Sequence, residues 1–201
     1  YTPAPAEVVR IRQLLRRRAV LVRVRVTLQQ SMADLALIRS GVRRVLEQIT
    51  RFIRSEQPDV VGLIEVDTGS VRTGMLNQAS YVADALGHYT AHQCKYGASS
   101  INQFLPIVRK QGNALLAAPG VTGERFHYFD TGIKRLIIEL ELEQVCIFLV
   151  HLSLKFRHRQ YQLRFLHDLI KDSRKPVIVA GDFNVFWGTH EIYLFMQTSG
   201  L

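Results

Sequence analysis

Long apolar runs are missing from this chain. No stretch approaches the roughly 18–20 residues needed to cross a bilayer, so a membrane-spanning helix is excluded and a soluble chain is expected. Cysteine is nearly absent too. Cys94 and Cys146 each stand in a strand-like run, which excludes a CxxC metal knuckle and a disulfide framework and leaves two buried thiols. Six prolines, 13 glycines and the lack of any Ser-, Gln- or Gly-rich tract leave no linker, and no internal repeat occurs. With 201 residues, 47% of them apolar, the chain suits one domain with a sizeable core rather than two.

Acidic residues are scarce at one end only. Residues 1–44 hold ten arginines against Glu7 and Asp34, a net +8 of the formal +9, whereas residues 45–201 hold 16 basic and 15 acidic side chains, a net +1. The body is therefore almost neutral. An Arg-rich arm over residues 1–18 can attach to phosphate backbones or anionic lipid without sequence preference. Arg16, Arg17 and Arg18 read equally as a solvated face.

The apolar pattern predicts alternating strands and helices. Val20, Val22, Val24 and Val26 alternate with Arg23 and Arg25, the period-2 sign of a half-exposed strand. Leu35, Ile38, Val42, Val45, Leu46, Ile49 and Ile53 recur at spacings of three and four, a helical stripe that Pro58 ends. A buried strand is expected from Asp59 to Val66 and a helix from Asn77 to Leu86. Strands follow at 89–95, 113–118, 125–129, 136–142 and 145–152. A helix is expected at 157–171, a strand at 176–180 and a last helix at 191–197. Hairpin-like neighbours in the middle, flanked by strand and helix units, suggest mixed sheets covered by helices, and two sheets packed face to face suit the number of strands.

Three apolar strands end in residues that carry chemistry. VIVAGDFN runs into Gly181, Asp182 and Asn184, and an extended segment would put that carboxylate and amide on one side. Such a pair can hold a hard cation, a phosphate or an attacking water, although Gly, Asp and Asn also make ordinary turns. IEVDTGS brings Glu65 and Asp67 to the end of the 59–66 strand. The 145–152 strand delivers His151, a group able to act as acid, base or phosphate donor near neutral pH. Any one of these has a plain structural reading; their convergence on strand C-terminal ends, where open sheets place their sites, favours a functional one.

DVVGLIEVD, QGNALLA, FLVHLSL followed by Arg159 and Gln162, and VIVAGDFN occur in the order and spacing of the endonuclease/exonuclease/phosphatase family. Together these blocks give residues 45–201 a resemblance to that family, which includes deoxyribonuclease I-like and neutral sphingomyelinase-like enzymes. EVDTGS and QCKYG resemble a branch apart from its best-known nucleases and lipid enzymes. The resemblance implies a four-layer α/β sandwich over residues 19–201, with two mixed sheets back to back and helices outside. It also implies a divalent-metal-dependent hydrolase of phosphate esters using Mg²⁺ or Mn²⁺.

By the same resemblance Glu65 is the metal ligand, Asp182 orients and deprotonates the attacking water, and Asn184 stabilises the developing charge. His151 would donate to the phosphate or protonate the leaving group, and Asn113 would fix a neighbouring loop. Asp67 is a candidate supporting or substrate-contacting residue, and Lys95, Tyr96, Arg109 and Lys110 are candidate cleft residues that read equally as ordinary surface. Two departures stand out. The family domain continues to a Ser-Asp-His motif that none of the seven histidines supplies, so the domain reads as incomplete at its C-terminal end. No Asn precedes Asn77, so aligning VRVRVTLQQ with the first family strand places Gln29 where a metal-binding Asn is expected. Two functions follow as expectations: a phosphoesterase impaired in this form, or a catalytically defective remnant that binds phosphate-bearing ligands or a partner. DNA, RNA, phosphoinositide, sphingomyelin and small phosphodiesters all suit the chemistry.

Overall fold

The computed structural model of the chain describes residues 34–94, 111–130, 136–171, 173–185 and 189–201. Helix α1 covers 34–56 and leads into β1 (Val60–Asp67), a short 3₁₀ turn (Val71–Thr73) and α2 (Gln78–Leu86). Five strands follow, β2 (Tyr89–Cys94), β3 (Gln111–Ala117), β4 (Val121–Tyr128), β5 (Leu136–Leu142) and β6 (Cys146–His151), and then α3 (Phe156–Ile170), β7 (Val177–Asp182) and α4 (His190–Ser199). The predicted 59–201 elements are all present, displaced by a few residues at most. The predicted strand at residues 20–26 and the Arg-rich segment 1–18 lie outside the described residues.

Local chemistry accounts for several boundaries. Asn77 caps α2 by accepting from the Ser80 N–H at 3.2 Å, satisfying one of the free donors of the first turn. Gly87 ends that helix in the left-handed region, where a residue without Cβ pays no steric cost.

Two sheets form. One has the order β1-β3-β2 and the other β4-β5-β6-β7. Among the described strands only β6 and β7 run parallel, because α3 carries the chain back across the sheet between them. Among the described residues the first sheet pairs its strands antiparallel, and the second is mixed.

Alternation within the strands sorts the core into three layers. On β3, Ala114 and Leu116 face α1 and α2 with Leu46, Ile53, Val82 and Ala83, while Leu115 and Ala117 face the opposite sheet. On β6, Ile147 and Leu149 enter the inter-sheet layer with Leu136, Ile138 and Leu140. Cys146, Phe148 and Val150 turn outward onto Leu163, Leu166 and Ile170 of α3 and Phe195 of α4. Helices, sheet, sheet and helices thus make a four-layer α/β sandwich. Cys146 is buried as expected; Cys94 is only half-buried, because it ends β2 at the rim beside Thr68.

Candidate active site

His151 is the last residue of β6 and shares the face of Ile147 and Leu149 that looks toward the other sheet. Its parallel neighbour on β7 is Asp182. The imidazole Nε2 lies 3.4 Å from Asp182 Oδ2, at the long end of hydrogen-bonding range, and Nδ1 lies 4.0 Å from Glu65 Oε1 across the sandwich. The ring is 3% exposed, whereas each carboxylate is 48% exposed. A buried imidazole therefore sits beneath two carboxylates that open to solvent.

β7 approaches β6 closely enough here that only glycine fits at 181. A Cβ on Gly181, whose φ is +139°, would stand 1.9 Å from the Val150 carbonyl oxygen. Beyond Asp182 the chain leaves the sheet, and Asn184 adopts a left-handed φ of +52°, a conformation Asn tolerates better than most residues. The Asn184 N–H donates to Asp182 Oδ1 at 2.9 Å, and its side-chain Nδ2 donates to the Leu152 carbonyl at 2.8 Å. The expectation that both residues ride one extended segment is thus corrected: strand alternation stops at Asp182, and a turn closed by the Asp182 carboxylate brings Asn184 back to the end of β6.

Glu65 reaches the cluster through a break in β1. Val61 and Leu63 pack on the helix side, and strict alternation would send residue 65 there as well. Instead Ile64 pairs with Asn113 and Val66 with Gly112, so Glu65 is an extra residue in a β-bulge, with φ +61°. Its N–H donates to the Oδ1 of buried Asn113 at 3.3 Å.

Past the bulge, Asp67 turns into the protein and is fully buried. Its Oδ2 accepts from Ser70 Oγ at 2.6 Å and from Arg72 Nε at 3.0 Å, with Arg72 Nη2 also at 3.0 Å. Asp67 therefore anchors the 68–73 loop, which fits the supporting of its two expected places, since a fully buried carboxylate is not open to a substrate. Gln29, Lys95, Tyr96, Arg109 and Lys110 lie outside the described residues.

Two further residues shape the site. Gln162 Oε1 accepts from the Ser153 N–H at 2.7 Å, and Arg159 Nη1 donates to the carbonyls of Ser153 and Leu154 at 3.1 and 3.0 Å. Arg159 also grips Glu191 of α4 at 2.6–2.7 Å. The loop that leaves His151 is held by this pair, which follow FLVHLSL in the sequence and lie with Leu163 and Leu166 on the buried face of α3.

Oxygen donors from carboxylates suit a hard cation such as Mg²⁺ or Mn²⁺. Among the described residues no group of three or more His, Cys, Asp and Glu side chains could cage a metal. A Mg²⁺ site of one or two carboxylates completed by water and substrate phosphate needs no such cage, and Glu65 fits that lesser demand. A groove of about 600 Å³ between α3 and α4, lined by Phe156, Leu163, His167, His190 and Leu194, is separate from the cluster. No helix among the described residues is long and apolar enough to cross a membrane.

In this four-layer α/β sandwich, Glu65, His151, Asp182 and Asn184 lie together at the ends of β1, β6 and β7. Residues 38–200, more than half the chain, match the model of the Endonuclease/Exonuclease/phosphatase family. The chain belongs to that family. Solved structures share the fold. TDP2 from C. elegans is 19% identical, with 74% of this chain and 44% of that one covered and a TM-score of 0.52. D. rerio TDP2 complexed with single-strand DNA product is 17% identical over 77% and 57%, with a TM-score of 0.52. The human Nocturnin catalytic domain with bound sulfate anion is 22% identical over 79% and 63%, with a TM-score of 0.56. The chain thus spans 44–63% of the length of these structures. Comparison with curated proteins gave no match.

Proposed function

We propose that this protein hydrolyses phosphate esters by water attack at phosphorus, with Glu65, His151, Asp182 and Asn184 as its site. The observation that carries the reading is the meeting of two half-exposed carboxylates over one buried imidazole at the strand ends. Family membership supports it, as does the fold shared with a TDP2 that holds a DNA product and a Nocturnin domain that holds sulfate.

Asp182 orients a water in line with the scissile bond and takes its proton as the new P–O bond forms. The leaving oxygen departs with its bonding pair. Asp182 is held by two contacts, the Asn184 N–H on Oδ1 and the His151 ring on Oδ2, so little reorganisation is needed as charge moves. This assignment makes His151 a group that positions Asp182, in place of the direct donation to substrate that the family resemblance implied. The Asn184 amide, anchored on Leu152, keeps one N–H for the phosphoryl oxygen. Mg²⁺ or Mn²⁺ held by Glu65 would supply Lewis acidity at that oxygen.

Hydrolysis of bis-p-nitrophenyl phosphate by the purified protein tests the reading, with Mn²⁺ binding followed by calorimetry. Asp182→Asn should lower turnover at least about 100-fold while sparing metal affinity, and Glu65→Gln should raise the metal concentration for half activity. Activity of both variants equal to the parent would refute the assignment. Metal-independent binding of phosphate with no turnover would point instead to a binding module.

A further inference from the structure

We propose that Asn113 is a positioning residue for Glu65, acting by locking the β1 bulge; the proposal rests on the reading of Glu65 as the metal ligand. Val61 and Leu63 face the helix layer, Val60 and Ile64 face the other sheet, and Val66 faces the helix layer again. In an unbroken strand, residue 65 would take the helix side and Val66 the inner side. Inserting one residue reverses this: Val66 stays in the apolar layer it fills, and Glu65 is released toward His151 on the opposite sheet.

The bulge carries a cost, because Glu65 holds φ at +61° without being glycine or asparagine. Such a conformation persists where its surroundings over-determine it. Asn113 supplies that determination. It stands opposite Ile64 in the ladder, on the same inner face as Leu115 and Ala117, and is 1% exposed. Its Oδ1 accepts the N–H of the residue the ladder steps over. The carboxamide thereby sets the direction of the Glu65 side chain without touching metal or substrate. Serine falls one bond short of the Oδ1 position, and alanine has no acceptor at all.

The experiment is a double-mutant cycle on Mn²⁺ binding, measured by calorimetry without substrate and paired with thermal unfolding by circular dichroism. Asn113→Ala should weaken Mn²⁺ binding about 10-fold, the scale expected for groups that orient a metal ligand. In a Glu65→Gln background, Asn113→Ala should have no further effect on affinity. Should Asn113→Ala fail to fold, Asn113→Ser carries the same expectation. A lowered melting temperature with unchanged Mn²⁺ affinity would overturn the proposal, leaving Asn113 a fold residue only. An equal loss in both backgrounds would overturn it differently, showing that Asn113 acts through some other group. Unchanged affinity in Glu65→Gln alone would remove the ligand assignment of Glu65, and the proposal with it.

Discussion

Gly181→Ala tests whether the close approach of β6 and β7 is what builds the site. An alanine at φ +139° adopts a backbone region nearly reserved for glycine, at a cost of about 1–3 kcal/mol. Its Cβ would also lie 1.9 Å from the Val150 carbonyl oxygen. That atom is backbone, so the strands themselves must part at the Val150–Gly181 pair. Losing one or two ladder hydrogen bonds adds about 0.5–1.5 kcal/mol each. The expected loss of stability is about 2–5 kcal/mol, a large share of the roughly 5–15 kcal/mol of a whole domain. Urea unfolding followed by far-ultraviolet circular dichroism reads it directly. Gly87→Ala is the control, since Gly87 also has positive φ (+70°) but nothing lies within 4 Å of its missing Cβ; it should cost about 1–2 kcal/mol. The next pair along is His151–Asp182, so molecules of Gly181→Ala that remain folded should still lose turnover. A stability loss below about 1 kcal/mol, or one no larger than the control's, would mean that the close approach of β6 and β7 does not restrict position 181 to glycine.

Leu166→Ala, at a fully buried position of α3 in the outer core, should cost about 2–5 kcal/mol, visible as a lowered urea midpoint. Arg72→Met leaves the buried Asp67 carboxylate without its cation and should cost about 1–3 kcal/mol, discounted for the half-exposed guanidinium; Asp67→Asn in the same chain should recover part of it. Glu141 is held below the usual carboxylate range by the Lys175 hydrogen bond and charge, with a smaller contribution from Arg125. A depressed carboxyl contributes stability above its ordinary pKa and loses it as pH falls through its folded one. Lys175→Met should therefore move the Glu141 titration, followed by NMR, up toward the ordinary range and reduce the acid sensitivity of the fold.

Element order was legible because periodicity is a local property. Val42, Leu46 and Ile53 share a helical stripe whatever lies beyond it, and Phe148 and Leu149 belong to a buried strand on composition alone. The site residues at strand ends were legible for a similar reason, since the end of an apolar run is visible in the string. Their orientation was not. Spacing treats Glu65 and Asp67 as equivalent carboxylates two residues apart, yet one opens to solvent above His151 and the other is sealed against Ser70 and Arg72.

The succession of helices and strands, the near-neutral body behind an Arg-rich start, and the acid, imidazole or amide at each strand end follow from the order of residues alone. That Glu65 and Asp67 part company, that Asn184 returns on a turn to Leu152, and that His151 lies beneath its neighbours came from packing in three dimensions. The physical reason is that a bulge or a left-handed residue depends on a partner far along the chain. Asn113 acts on Glu65 across 48 residues, and Asn184 reaches Leu152 across 32. No local preference specifies such a conformation until folding brings the two segments together.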